Sequence, residues 1–182
     1  MNIKPRTVGA SLATAALAFM LSPQAVSSAA ALTTVSIDQC VNNSNTSATA
    51  QIGQTLYSSA VNTNLSLLCG TYTTAGGGMR HISVDHPETL YVQGDFLKCL
   101  NFVIRHTTSS TGSSNPNYRQ LTKVYSTSGG SGIAIMQVWP AHGTVVTAYV
   151  NPTQPAVRHS NVSPQSSTPA QLEQGWRACG AD

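Results

Sequence analysis

The chain has 182 residues, of which only 8% are charged, and its net charge is +3 with the histidines neutral. That charge is too small for a protein held on nucleic acid by bulk electrostatics, so any nucleic-acid chemistry must depend on a local site. Ser, Thr, Asn and Gln are abundant instead. Such uncharged polar surfaces are common in exported proteins.

Residues 1–30 have the features of an export signal. Lys4 and Arg6 give a positive start, residues 8–21 form an alanine-rich apolar core, and small residues follow at 27–31. The apolar run is too short for a stable membrane span. Loss of Lys4 and Arg6 leaves seven cations against six anions, a mature charge of +1. We expect a secreted protein, extracellular or periplasmic, with one domain over 31–182 and no stable membrane insertion.

Two helical patterns are present in the first half of the mature chain. Apolar residues at 48, 52, 56 and 60 repeat every fourth position and predict a helix over 47–60. Asp95 is suited to an N-cap, and an apolar helical face follows it, which predicts a second helix over about 95–106. The members of that face are Phe96, Leu97, Leu100, Val103 and Ile104.

Three β-rich apolar runs follow between residues 117 and 150. A glycine-serine turn and the segment 139–143 separate them, which is the pattern of an antiparallel meander. In the proline-rich tail beyond, Thr168 and Gln171 have the spacing of a capping box, and Pro169 suits the first position of a short helix. The sequence therefore predicts an α+β domain, with N-terminal helices packed on a C-terminal antiparallel β-meander.

Four cysteines lie downstream of the export signal: Cys40, Cys69, Cys99 and Cys179. An even number of cysteines in an oxidising compartment favours two disulfides, for which three pairings exist. A zinc site is the alternative, although no C-x-x-C pair is present. We prefer the pairs Cys40–Cys69 and Cys99–Cys179, the second of which would join the tail to the central helix.

His81 and His86 are five residues apart, a spacing that places two side chains about 140° apart on a helix. Pro87 disfavours a helical conformation at His86, so the chain must turn or leave a helix if both rings act together. Imidazoles suit general acid–base chemistry near neutral pH. In the alternative interpretation, His86 caps a turn and His81 is a satisfied, partly buried ring.

Polar side chains near the end of the last predicted strand are further candidates. Thr147 and Tyr149 share one strand face, where a hydroxyl can hold a phosphate oxygen and a phenol can position ribose or stack on a base. Arg119 and Lys123 also share a face, and either cation can neutralise phosphate. Arg80 is a third candidate for substrate binding. All five are equally compatible with ordinary structural or solvating roles.

Residues 76–152 resemble the bacterial EndoU-like ribonuclease toxins of the barnase–EndoU–colicin–RelE (BECR) group. The resemblance rests on two histidines before a helix, then on the strand 132–138, the glycine turn at Gly143 and the closing Thr147-Ala-Tyr149. Val150 stands where relatives commonly have proline, and Pro152 follows two positions later. Lys123 is the nearest match to the family's catalytic lysine, with Arg119 behind it.

The resemblance implies a BECR-like fold and metal-independent cleavage of RNA to a 2′,3′-cyclic phosphate. It implies these catalytic residues: His81, His86, Lys123, Thr147 and Tyr149. RNA would be the substrate and an immunity protein a partner, and we expect a monomer with no metal or cofactor. Two alternatives remain, a non-catalytic secreted binding module on the same scaffold and a metal-dependent hydrolase that uses the histidines.

Overall fold

A computed structural model describes residues 34–73, 77–153 and 167–182. The predicted signal peptide and most of the proline-rich tail lie outside these residues. The described residues all belong to one compact unit that spans 31–182. No helix in the described ranges has the length and hydropathy needed to cross a membrane.

The described residues form strands and helices in mixed order. The strands are β1 Thr34–Val35, β2 Gln51–Ser58, β3 Thr63–Leu68, β4 Thr111–Gly112, β5 Arg119–Thr127, β6 Gly130–Trp139 and β7 Thr144–Thr153. The helices are α1 Ile37–Asn42, α2 Met79–Asp85, α3 Gln93–His106 and α4 Pro169–Gly180, and 3₁₀ turns occupy Pro87–Tyr91 and Pro140–His142. The predicted α+β class is confirmed.

All seven strands belong to one mixed sheet with the order β1-β2-β3-β7-β6-β5-β4. β5, β6 and β7 form the predicted antiparallel meander. β3 joins this meander through a parallel pairing of Ser66 with Thr144. α3 and α4 pack against each other and against the meander, with Phe96 and Trp176 in edge-to-face contact at 4.9 Å between ring centroids. The helix-covered face of β5–β7 therefore contributes to the core.

The alternate strand positions form a second face of the meander, which we call the open face because its side chains are half-buried or exposed. On the open face, the register of β5, β6 and β7 places their residues side by side in three rows. Its members are Gln120, Thr122, Val124, Ile133, Ile135, Gln137, Thr147, Tyr149 and Asn151.

The predicted helix over 47–60 is wrong, because residues 51–58 form β2. Residues four apart share a face in a strand as well as in a helix, so burial of Ile52 and Leu56 is compatible with both. The pairing partner decides between them, since β3 presents its own buried pair, Leu65 and Leu67, to complete the hairpin. The N-terminal half is therefore not entirely helical, because β1, β2 and β3 extend the sheet.

Other predictions for local structure are confirmed. The helix expected over 95–106 is α3, although it begins at Gln93 after the N-cap Val92, so Asp95 lies in its first turn and the predicted N-cap is wrong. The tail helix is α4, whose Thr168 forms a capping box with Gln171. The preferred cysteine pairs are also present, with Cα–Cα distances of 5.4 Å for Cys40–Cys69 and 5.0 Å for Cys99–Cys179. The first joins α1 to the end of β3, and the second joins α3 to α4.

Candidate functional site

His86 lies where α2 ends and the chain turns. α2 ends at Asp85, and His86 itself has a non-helical backbone with φ −135° and ψ 64°. Its N–H donates to the Ile82 carbonyl at 2.7 Å, and its own carbonyl accepts the Thr89 hydroxyl at 2.8 Å. The chain thus leaves the helix between the two histidines, as the spacing and Pro87 predicted, and the backbone of His86 is held from both sides.

A buried carboxylate faces one nitrogen of the His86 ring. His86 Nδ1 lies 3.5 Å from Glu88 Oε1, and the indole Nε1 of Trp176 donates to the same oxygen at 3.3 Å. Glu88 is only 4% exposed. Burial alone would raise the pKa of Glu88, but hydrogen bonds from His86, the Glu88 backbone N–H and Trp176 outweigh it and hold the pKa below its usual value.

The other side of the His86 ring lies against the open face. His86 and Tyr149 are stacked, with ring centroids 5.8 Å apart and planes inclined by 15°. Tyr149 lies opposite Ile135, and Thr147, opposite Gln137, is the next residue of β7 on the same face. Burial raises the pKa of Tyr149, so its phenol stays protonated at neutral pH. The structure thus brings three predicted site residues together: His86, Tyr149 and Thr147.

His81 occupies a different environment. Its side chain is 9% exposed, and its Nε2 lies 3.5 Å from Asp85 Oδ2, one helical turn further along α2. The two histidines therefore face different carboxylates. That both rings serve one ligand remains a prediction.

The Arg80 side chain has a structural role and does not lie on the open face. The guanidinium is buried, and its Nε donates to the Cys40 carbonyl at 2.9 Å and its Nη1 to the Gly70 carbonyl at 3.1 Å. Nη2 donates to the carbonyls of Asn43 and Thr46. Since each guanidinium nitrogen already binds main chain, the predicted substrate role is corrected to one of holding the 40–46 segment.

The side chains of Lys123 and Arg119 lie on the face of the sheet opposite to that of Thr147 and Tyr149. Lys123 pairs across the sheet with Ala134, which pairs with Val150, so its side chain belongs to the helix-covered face. Its ammonium lies 6.0 Å from the Phe102 ring of α3. Arg119 has the same parity and is exposed at the start of β5. The expected grouping of either cation with the strand hydroxyls is therefore corrected.

No protein-family model, curated protein or solved structure matches this chain. What the site can do chemically follows from its geometry. In the described part of the chain, no three His, Cys, Asp or Glu side chains are grouped so that they could hold a metal ion.

Glu88 and Trp176 are site residues that the sequence patterns did not indicate. The sequence gives a weak indication of Glu88. Pro87 turns the chain between His86 and Glu88, and this turn allows the Glu88 carboxylate to contact the His86 imidazole. Trp176 has no such signal, since it lies 88 residues away and reaches Glu88 only through the packing of α4. With Nδ1 facing Glu88, Nε2 is the nitrogen of His86 that can exchange a proton with a ligand.

Proposed function

We propose that this protein is an exported endoribonuclease that cleaves RNA without a metal ion. The observation that carries the proposal is the His86 ring, held between the buried carboxylate of Glu88 and the open-face ring of Tyr149. A histidine with one nitrogen against a carboxylate can transfer a proton through its other nitrogen. The open face provides an accessible surface on which RNA can lie.

The reaction needs two proton transfers. The ribose 2′-oxygen attacks the adjacent phosphorus while a base takes its proton, and the bond from phosphorus to the 5′-oxygen breaks as an acid protonates that oxygen. The product is a 2′,3′-cyclic phosphate and a free 5′-hydroxyl. His86 supplies one of the two groups and His81 the other, while the hydroxyls of Thr147 and Tyr149 donate to the phosphate oxygens.

The order of the secondary-structure elements along the chain supports a BECR-like arrangement and the resemblance to EndoU-like toxins. His81 on α2 and His86 directly after it precede α3, and the meander closes with Thr147 and Tyr149 on one face. The resemblance adds an immunity protein as a partner, whereas export rests on the signal features of residues 1–30.

A second candidate is a non-catalytic secreted module that binds RNA or another ligand on the same face. The observation that favours it is charge, since none of the nine open-face positions holds Lys or Arg. A catalytic site would have to stabilise the transition state through hydroxyl and imidazole donors alone.

Incubation of the oxidised mature protein with total RNA, with and without a chelator, separates these functions. The proposal predicts cleavage that the chelator does not change, with 2′,3′-cyclic phosphate ends on the products. A parallel substrate in which 2′-deoxynucleotides replace the ribonucleotides should stay intact, because it lacks the nucleophile. Binding without cleavage would identify the binding module, and cleavage that stops on chelation would identify a metal-dependent hydrolase.

A further inference from the structure

A second aromatic cluster, Tyr118, Trp139 and His142, lies at one end of the meander. The Trp139 ring centroid is 5.7 Å from that of Tyr118 and 3.9 Å from that of His142. Trp139 follows Gln137 by two residues and Ile135 by four, so it continues the open-face row of β6. Ile135 lies beside Tyr149, which places Trp139 about 13 Å along the strand from the His86 site.

A cavity of about 490 Å³ is present at this end of the sheet. Trp139 and Arg119 line it together with Asn62, Asn117 and Ser110, and no Asp or Glu is among the described residues that line it. The Arg119 side chain belongs to the helix-covered face. Because Arg119 is the first residue of β5, however, its side chain lies at the end of the sheet. Its Nη1 donates only weakly, to the Pro116 and Tyr118 carbonyls at 3.4 Å and 3.2 Å.

We propose that this cavity is a subsite for single-stranded RNA, in which Trp139 stacks on a base and Arg119 pairs with a backbone phosphate. The proposal rests on the RNA specificity of the proposed function. It assigns Arg119 a substrate role away from the cleaved bond, at the neighbouring nucleotides. It also supplies the cation that the open face lacks.

The chemistry of the lining favours single-stranded RNA over other ligands. Every base has an aromatic face, so a partly exposed tryptophan stacks on single strands with little sequence preference. An arginine with no carboxylate in the cavity is free to pair with phosphate. The asparagine side chains can bind the Watson–Crick edges of bases, which are accessible only in unpaired RNA.

A hexamer of 2′-O-methyl RNA tests the subsite, because the methyl group blocks cleavage and leaves binding measurable. Trp176 is only 1% exposed in the core, so a change in tryptophan emission on binding reports Trp139. Fluorescence anisotropy of a labelled hexamer then gives affinities for each variant. Trp139→Ala should weaken binding about 5- to 150-fold, the range for loss of one stacked base. Trp139→Phe keeps an aromatic ring and should lose less.

Arg119→Gln should weaken binding and also make it less dependent on salt, with the slope of log affinity against log salt falling by about 0.7 for one lost phosphate contact. Lys98→Gln is the matched control, because Lys98 is 67% exposed on α3, carries the same charge as Arg119, and lies outside both the open face and the cavity. Its affinity should equal that of the parent. Binding of a neutral oligosaccharide in place of the hexamer would overturn the proposal.

The outcomes separate this proposal from the cleavage proposal. If Trp139→Ala and Arg119→Gln bind the hexamer as the parent does, the subsite is wrong, even where His86→Ala abolishes cleavage. If both variants bind weakly while the parent cleaves no RNA, the subsite stands and the catalytic proposal fails.

Discussion

The candidate site depends on how a single imidazole is fixed. Three separate elements meet at His86: the end of α2 sets its backbone, Glu88 of the 3₁₀ turn faces Nδ1, and Tyr149 of β7 stacks on the ring. Trp176 of α4 in turn holds Glu88 from the core. A buried carboxylate whose hydrogen bonds outweigh its desolvation keeps its charge, and this charge is the property that Glu88 brings to the site.

Glu88→Gln should change how the stability of the fold depends on pH. Because the pKa of Glu88 is lowered in the folded state, ionised Glu88 stabilises the fold above its unfolded pKa of 4.5, and this contribution is lost as the pH falls through the lower folded pKa. The parent should therefore exceed Glu88→Gln in free energy of unfolding at pH 7, and the gap should close below pH 4.5. Urea unfolding at several pH values measures this difference in the free energy of unfolding.

Glu173→Gln is the control for that experiment, since Glu173 lies on α4 outside the His86 network. It should leave the pH dependence as in the parent. A gap between the parent and Glu88→Gln that stays constant from pH 7 to acid would show that the Glu88 charge contributes nothing specific.

The two histidines should act as a unit. Under the proposed function, replacement of either His81 or His86 by alanine removes one of the two proton-transfer groups, so each variant should lose about 10²–10⁴-fold in cleavage rate. The double variant should be little slower than either single one. Rates on one RNA substrate measure this, and a His81→Ala variant as fast as the parent would restrict the site to His86.

At the scale of elements, the signals that predicted structure correctly were local ones. The apolar face from Phe96 to Ile104 predicted α3, although the helix begins two residues before Asp95 and does not use it as the N-cap. The capping box at Thr168 predicted α4, and alternating strands with tight turns predicted the meander. β2 was missed because its apolar period of four fits a helix as well as a strand. Its assignment depends on β3 and on the parallel β3–β7 pairing, which are tertiary contacts with no short-range signature.

Loss of the Cys99–Cys179 disulfide should weaken both the fold and the site. The bond closes a loop with a sequence separation of 80 and fixes α4, which carries Trp176 to Glu88. Serine at both cysteines should lower the free energy of unfolding by about 2–5 kcal/mol, measured by urea unfolding.

Cleavage should fall more in that variant than in one with serine at Cys40 and Cys69, because the second pair does not hold α4. Equal cleavage by the two variants, compared at a temperature where both are folded, would contradict a role for α4 in positioning His86.

At the scale of the whole molecule, the sheet decides which predicted residues can cooperate. The sequence located Thr147 and Tyr149 on one strand face and placed the break in the helix before His86. It could not place Lys123 relative to them, because the strand parity of β5 depends on its register with β6 and β7. It could not anticipate that Arg80 would be enclosed by carbonyls of a segment about 40 residues earlier.

The proposed function requires His86 to transfer a proton in the cleavage of RNA. The most direct test compares His86→Ala with His106→Ala, a histidine at the exposed end of α3, on one single-stranded RNA in excess chelator. Product ends are assayed for 2′,3′-cyclic phosphate. We predict that the parent and His106→Ala release this product at the same rate, and that His86→Ala is slower by about 10²–10⁴-fold with unchanged circular dichroism. Equal release by His86→Ala and the parent would contradict the proposed role of His86 in proton transfer.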